Sequence, residues 1–293
     1  MAELLLITPA RDEAAHLERT IRAVAAQTRR PDLWLIVDDG STDATPEILS
    51  RAAAELPFLR VLRAPQHDES GVDRLALAAE ARAFNWALSA IDLDDYTHVG
   101  KLDADIELSS EYIERLLRHF DEEPELGVAG GRLLERGPAG WLPPRVPDHH
   151  VRGALKTYSR ECFASIGGIE ERLGWDTIDE TYARMSGYAT KSFPELTARH
   201  HRPVATRNGT LRGRARHGQC AYILRYSAWW VTLRSFKAAG SRPYGLSGLA
   251  FFYGYMRSVV RRDPRVEDEN FRRFVSRELV SRAVKVPTFF VRS

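Results

Sequence analysis

The chain has 293 residues, of which 44% are hydrophobic and 28% charged, and it carries a net charge of +2. Such a length buries a core large enough for one sizeable domain with or without an appendage, and the composition excludes a disordered, collagenous or disulfide-stapled chain. Its two cysteines, Cys162 and Cys220, form no CxxC pair, the N-terminal MAELLLITPARDE has no cationic leader, and no run of about 18 apolar residues occurs, so the expectation is a reduced, cytoplasmic protein without a structural zinc site, signal peptide or transmembrane helix.

Leu4 to Thr8 is a continuous apolar run of the kind that forms a parallel strand covered on both faces, and Pro9 is expected to stop it. Glu13 to Gln27 carries Leu17, Ile21, Val24 and Ala25 on one helical stripe. A second strand, Leu33 to Val37, runs into an acidic turn, Asp38, Asp39, Gly40, Ser41, Thr42 and Asp43. A helix over Thr45 to Leu56 and a short strand over Phe58 to Arg63 complete a βαβαβ order. That order predicts a doubly wound α/β sheet, which binds ligands at the carboxyl ends of its strands. The first βα turn, TPARDEAAH, has neither the G-x-G-x-x-G of a dinucleotide fold nor a P-loop, so a nucleotide here must be gripped by side chains and a metal.

After a loop over Ala64 to Val72, Arg74 to Ser89 is helical and carries Arg74, Arg82 and Asn85. The stretch YTHVGKLDADIEL, Tyr96 to Leu108, reads as a buried strand ending in Asp103 and Asp105. Residues i and i+2 of an extended chain point to one side, so these two carboxylates are expected to share a hard cation, Mg²⁺ or Mn²⁺. A helix start at Ser109 or Ser110 is the structural alternative, since acids gather near helix N-termini.

Taken together, Pro9, Arg11, Asp12 and Glu13, the VDDGSTDAT turn, the Arg74/Arg82/Asn85 helix and LDAD resemble an inverting glycosyltransferase of family 2 with the GT-A fold. The resemblance covers roughly residues 4 to 205. It implies a Rossmann-like, mostly parallel central sheet with flanking helices. The donor would be a nucleoside diphosphate sugar (UDP, GDP or dTDP) and the acceptor a glycan or lipid-linked molecule, as in cell-surface polysaccharide or glycolipid synthesis. By the resemblance, Pro9, Arg11, Glu13 and the Asp38/Asp39 turn hold base and ribose, with Asp39 on the ring N–H. Arg74 reaches the diphosphate, Arg82 belongs to the nucleotide-sugar site, and Asp103 and Asp105 hold the metal that bridges the phosphates.

Leu126 to Leu134 resembles the next strand, residues 137–150 a loop, and Gly153 to Gly168 the acceptor-site floor. GWDTIDETYARMSGY, Gly174 to Tyr188, resembles the family's acidic motif at the start of a helix, and by that resemblance the family's spacing back from Gly187 implies Asp176 as the general base, with Trp175 beside it as a sugar-stacking face. The family writes Glu-Asp where this chain has Trp-Asp, so Asp179 and Glu180 stay open as alternates. Lys191 to Phe193 resembles a short strand. The family's QxxRW is replaced by His200, His201 and Arg202, of which His201 (alternate His200) is expected on the metal and Arg202 or Arg207 on phosphate.

The net charge hides an asymmetry. Acids gather from Asp92 to Glu125, whereas Arg is dense over Arg199 to Arg216, Arg257 to Arg265 and Phe271 to Arg282. The expected domains are a glycosyltransferase domain over 1–210, with a donor half 1–105 and an acceptor half 106–210, and a basic helical region over 211–293. Tyr222 to Phe236 and Tyr244 to Val260 combine Trp, Tyr and Arg as membrane-interface helices do, so residues 222–260 are expected either on a membrane surface, peripheral to its inner face, or packed on the core or on a second subunit of a homodimer. No nucleic-acid motif accompanies the basic residues, and none is expected as a partner. Two other classes, a nucleotidyltransferase and a noncatalytic membrane-peripheral scaffold, lack respectively a Gly-rich basic first loop and a use for the acidic turns.

Overall fold

Alternate residues of β1 (Leu4–Ala10) enter opposite faces of one sheet, and both faces are covered. Leu4 and Leu6 join Trp34 and Ile36 in one apolar cluster, whereas Leu5 and Ile7 join Leu33, Leu35 and Val37 in another. This is why the run is apolar without alternation. Each fully buried Leu or Ile contributes roughly 1.5–3 kcal/mol relative to an exposed one. The chain continues through α1 (Leu17–Ala25), β2 (Leu33–Asp38), α2 (Thr45–Glu55), β3 (Leu59–Arg63), α3 (Ala79–Leu88), β4 (His98–Leu102), β5 (Ile106–Leu108) and α4 (Tyr112–Glu122). Then come β6 (Leu126–Gly137), β7 (Gly140–Leu142), β8 (Leu155–Ser159), α5 (Arg160–Ser165), α6 (Trp175–Met185) and β9 (Ala189–His200). The computed structural model describes residues 3–65, 78–137, 140–144, 147, 149–202 and 209–284. Arg74 and Arg207 lie outside the described residues.

The sheet has the order β3-β2-β1-β4-β8-β6-β9-β5, with β7 paired on β6. β3, β2, β1 and β4 run parallel, then β8 lies antiparallel between β4 and β6. Pro9 does not end β1. The strand pairs β2 as far as Ala10 but pairs β4 only as far as Ile7. Ala10 directs its carbonyl to Asp39 N–H beside β2, so Pro9 faces the other side, where no partner remains to need its missing donor. β9 is likewise one long strand, running from Ala189 past a register irregularity to His200, where a short strand over Lys191 to Phe193 was expected. Gly131 explains the close packing there: a Cβ on it would lie 2.2 Å from the Leu196 carbonyl oxygen.

Contacts divide the chain into two units, Met1–Pro203 and Val204–Ser293. The second contains α7 (Thr210–Ile223), α8 (Ala228–Ala239), α9 (Leu246–Arg261) and α10 (Glu269–Val284). The single helix expected over 222–236 is broken. Arg225 takes a left-handed φ of 62°, and Tyr226 N–H turns back to the Ala221 carbonyl, which closes α7 before α8 begins. Among the described residues, no helix is long and apolar enough to cross a membrane.

Candidate active site

The turns after β1 and β2 are laced into one wall. Asp12, at φ 53°, accepts Thr42 N–H at 2.8 Å, Glu13 N–H donates to Thr45 Oγ1 at 2.8 Å, and Arg11 Nη1 donates to the Asp39 carbonyl at 3.2 Å. Asp38 is buried and accepts Ser41 N–H at 2.9 Å, so its carboxylate closes the turn, while Asp39 remains half-buried. Asp43 accepts the Ala14 and Thr45 N–H groups; these bonds outweigh what burial it has and hold its carboxyl below the usual range.

Asp103 and Asp105 do not leave an extended strand together. β4 ends at Leu102, and Ile106 N–H bonds back to the Asp103 carbonyl at 3.3 Å, so the motif is a turn and the period-2 argument does not apply. Asp103 is bonded by Lys101 Nζ. Asp105 is buried, with Oδ2 at 3.4 Å from His200 Nε2 and 3.7 Å from Arg202 Nε. Arg202 also binds Glu13. Glu13 is pushed up to about 7, chiefly by burial, partly offset by Arg202 and reinforced by Asp105 and Asp103. Burial opposes a charge on His200, but the hydrogen-bonded Asp105 carboxylate outweighs it and raises the imidazole.

The expected order of the two histidines is reversed. Period-2 parity along β9 directs His200 to Asp105, whereas His201 Nε2 meets Glu107 Oε2 at 2.6 Å and its ring lies edge-on to Trp141. His16, which the sequence did not single out, stacks on His201 with ring centroids 6.3 Å apart.

Lys101 and Lys156 form the floor. They are direct partners across the β4–β8 ladder and both side chains are fully buried. Lys101 reaches Asp103, the Gly153 carbonyl at 3.0 Å and Glu80 at 3.8 Å. Lys156 reaches Asp179 Oδ2 at 2.9 Å, Glu180 Oε1 at 3.2 Å and the Asp176 carbonyl at 2.7 Å. Both ammonium groups lie over the Trp175 ring, at 5.2 and 5.4 Å.

Trp175 is therefore not an open stacking face. It is 4% exposed, and its Nε1 donates to Glu80 at 3.2 Å, so it joins the two lysines. Asp179 and Glu180, the alternate bases, belong to the same buried network. Asp179 also accepts Tyr158 Oη–H, and Glu180 accepts Val151 N–H at 2.7 Å and pairs His150 at 3.0 Å. Burial would raise Glu180, but Lys156 and His150 bring it down to about 2; burial raises Asp179 and Lys156 offsets this only in part. Asp176 differs from both. It is half-buried in the first turn of α6, which starts at Gly174 with φ 87°, and helix-end N–H groups favour a carboxylate there. Gly153 lets the chain pass: a Cβ on it would sit 3.1 Å from Asp176 Cβ.

Among the described residues, no three His, Cys, Asp or Glu side chains are already drawn together as a metal cage. Yet Asp105 Oδ1 and His200 Nδ1 are buried with no hydrogen-bond partner, beside the crowded carboxylates of Glu13 and Asp103. A buried acceptor left unmade costs about 1–3 kcal/mol. The oxygen-rich set fits a hard cation that would relieve it.

The family model described as Glycosyl transferase family 2 matches residues 5–166, more than half of the chain. The chain belongs to glycosyl transferase family 2. The N-acetylglucosaminyl-diphospho-decaprenol L-rhamnosyltransferase of Mycobacterium tuberculosis is 25% identical across 73% of this glycosyltransferase and 82% of the relative. Among solved structures, the mannosyltransferase PcManGT from Pyrobaculum calidifontis, in complex with GDP-Man and Mn2+, superposes with a TM-score of 0.57 at 18% identity, over 97% of this chain and 86% of that one. S. aureus TarS 1-349, in complex with UDP-GlcNAc, gives 0.55 at 11% identity, over 95% and 81%. The enzyme has the GT-A fold, a mixed α/β architecture followed by C-terminal helices.

The family 2 motifs place the acidic turns, but the lysine floor carries no such label. Its signal is a lysine inside each of two otherwise well-buried strands, HVGKL and LKTYS. Arg82 is half-buried on α3, while Asn85 anchors that helix to the Ile169 carbonyl at 2.8 Å.

Proposed function

We propose that this family 2 glycosyltransferase is an inverting, divalent-cation-dependent enzyme that moves a sugar from a nucleoside diphosphate donor to a lipid-linked or glycan acceptor in cell-surface polysaccharide or glycolipid synthesis. It works in the cytoplasm, at the inner face of the membrane. The observation that carries the reading is the unpartnered Asp105 carboxylate oxygen, buried among Glu13, Asp103, His200 and Arg202. The acceptor in the name of the M. tuberculosis relative, N-acetylglucosaminyl-diphospho-decaprenol, supports a lipid-linked acceptor. The bound ligands of the two neighbours, GDP-Man with Mn2+ and UDP-GlcNAc, support a nucleotide-sugar donor.

Asp39 and the Pro9–Glu13 turn receive the base and ribose, and Arg11 stiffens that wall. Arg202 and Arg82 serve the diphosphate, a role that the sequence also assigns to Arg74. Asp103, Asp105 and His200 would hold Mg²⁺ or Mn²⁺, which when bound neutralises charge on the departing diphosphate. Asp176 takes the proton of the acceptor hydroxyl as that oxygen attacks the anomeric carbon from the face opposite the leaving group. One C–O bond forms, the bond to the diphosphate breaks, and the configuration inverts. Lys156 fixes the first turn of α6 through the Asp176 carbonyl, and Lys101 fixes Asp103.

The test is product analysis. The enzyme is incubated with a panel of UDP-, GDP- and dTDP-sugars and a polyprenyl-diphosphate-linked N-acetylglucosamine. Release of nucleoside diphosphate with a product of inverted anomeric configuration is expected. A product of retained configuration contradicts the role given to Asp176.

A further inference from the structure

The α8–α9 hairpin of the second unit has two apolar sides. The inner side of α9 is closed: Ser247, Gly248, Phe251, Gly254 and Ser258 are buried. A Cβ on Gly254 would lie 1.8 Å from the Ala215 carbonyl oxygen, and one on Gly248 2.4 Å from that of Ser235, so α7 and α8 leave no room there. On its outer side Leu249, Phe252, Tyr253, Met256 and Val260 are exposed, Val260 to 79%. Their spacing of i, i+3, i+4, i+7 and i+11 puts them on one face of the helix. Trp229, Leu233 and Phe236 form the matching exposed stripe of α8, with Phe236 at 75%. Large contiguous apolar faces do not stay in water on soluble monomers.

Charge selects the occupant. Residues 209–262 contain ten Lys and Arg and no Asp or Glu. Arg234 and Lys237 on α8 and Arg257 and Arg261 on α9 are exposed. A second copy docking here by two-fold symmetry would set this all-positive surface against itself with no acid to pair it, which disfavours a homodimer through this face. An anionic bilayer offers both things the face lacks, negative headgroups for the arginines and acyl chains for the apolar stripe; Trp and Tyr suit the boundary between them. We propose that the exposed face of α8 and α9, centred on Phe236, Leu249 and Tyr253, is a monotopic docking surface for anionic lipid bilayers. The idea rests on the lipid-linked-acceptor reading for its purpose, but its test uses neither donor nor acceptor, so the two can fail separately.

The full chain is sedimented with phosphatidylcholine vesicles, with and without phosphatidylglycerol, at low and high salt. The parent and the double variant Phe236→Asp/Leu249→Asp are compared, with helix content checked by circular dichroism and mass in solution by light scattering. Pelleting with phosphatidylglycerol vesicles, weakened by salt and reduced about tenfold or more in the folded double variant, is expected. A second pair, Arg257→Gln/Arg261→Gln, keeps the apolar stripe and is expected to lose only the preference for anionic lipid. Three results overturn the proposal: no pelleting of the parent at low salt, equal pelleting of parent and Phe236→Asp/Leu249→Asp, or a parent dimer that becomes monomeric in that variant.

Discussion

Lys101 and Lys156 stand directly opposite one another on β4 and β8, and both ammonium groups lie over the ring of Trp175. Two buried like charges in adjacent positions repel, so each requires its own acids: Asp103 and Glu80 for Lys101, Asp179 and Glu180 for Lys156. The pair thereby ties the acidic turn after β4 to the helix that carries Asp176.

Breaking one side of that network leaves an uncompensated buried charge, which costs about 3–5 kcal/mol. Lys156→Met is expected to lower the melting temperature by roughly 10 °C or more, given a few degrees per kcal/mol for a domain of this size. Lys156→Met/Asp179→Leu, which removes the Lys156–Asp179 pair and leaves Glu180 with His150, is expected to recover part of the loss. Calorimetry decides; a double variant no more stable than Lys156→Met would show that the pair is not coupled as described.

Glu13 supplies a pH test. Its carboxyl is raised in the folded protein, so the folded state binds the extra proton between the ordinary carboxyl range, near 4.5, and about 7. Stability of the metal-free enzyme therefore falls as pH rises through that window, by an amount on the order of 3 kcal/mol at most. Glu13→Gln is expected to flatten the fall, measured by urea unfolding in EDTA from pH 4.5 to 8. An unchanged slope in the variant would remove Glu13 as its source.

Asp176→Asn separates catalysis from binding. The acid is assigned to the acceptor hydroxyl, so the variant is expected to keep donor affinity while kcat falls about 10²- to 10⁴-fold. Asp179→Asn and Glu180→Gln are expected to act on stability instead, because both acids are buried in the lysine network. A variant of Asp179 or Glu180 that folds normally and lacks turnover would reassign the base.

Much of this was legible in the chain itself. The βαβαβ opening is a pattern of local periodicity, and the acidic turns follow their strands directly, so neither needs tertiary information. Lys101 and Lys156 were missed because their pairing exists only across a ladder, and a lysine inside a strand reads as a solvent-facing position. Trp175 was misassigned for the same reason: burial between two cations is a property of the packed sheet. The choice between His200 and His201 turned on the register of β9 against β5, where His200 pairs Ile106, since a one-residue slip reverses which ring faces Asp105. Likewise, Asp103 and Asp105 sit in a turn, closed by Ile106 N–H on the Asp103 carbonyl, that an extended reading of LDAD does not foresee.

Nucleotide binding by calorimetry tests most directly the proposal that the acidic turn is a cation-dependent donor site. UDP, GDP and dTDP are titrated into the enzyme in Mn²⁺ and in EDTA, with Asp105→Asn, His200→Ala and His201→Ala in parallel. One nucleotide is expected to bind only with the cation. That binding should be lost in Asp105→Asn, weakened about 10- to 100-fold in His200→Ala and nearly unchanged in His201→Ala. Equal affinity in Mn²⁺ and in EDTA, or full binding by Asp105→Asn, would contradict the account.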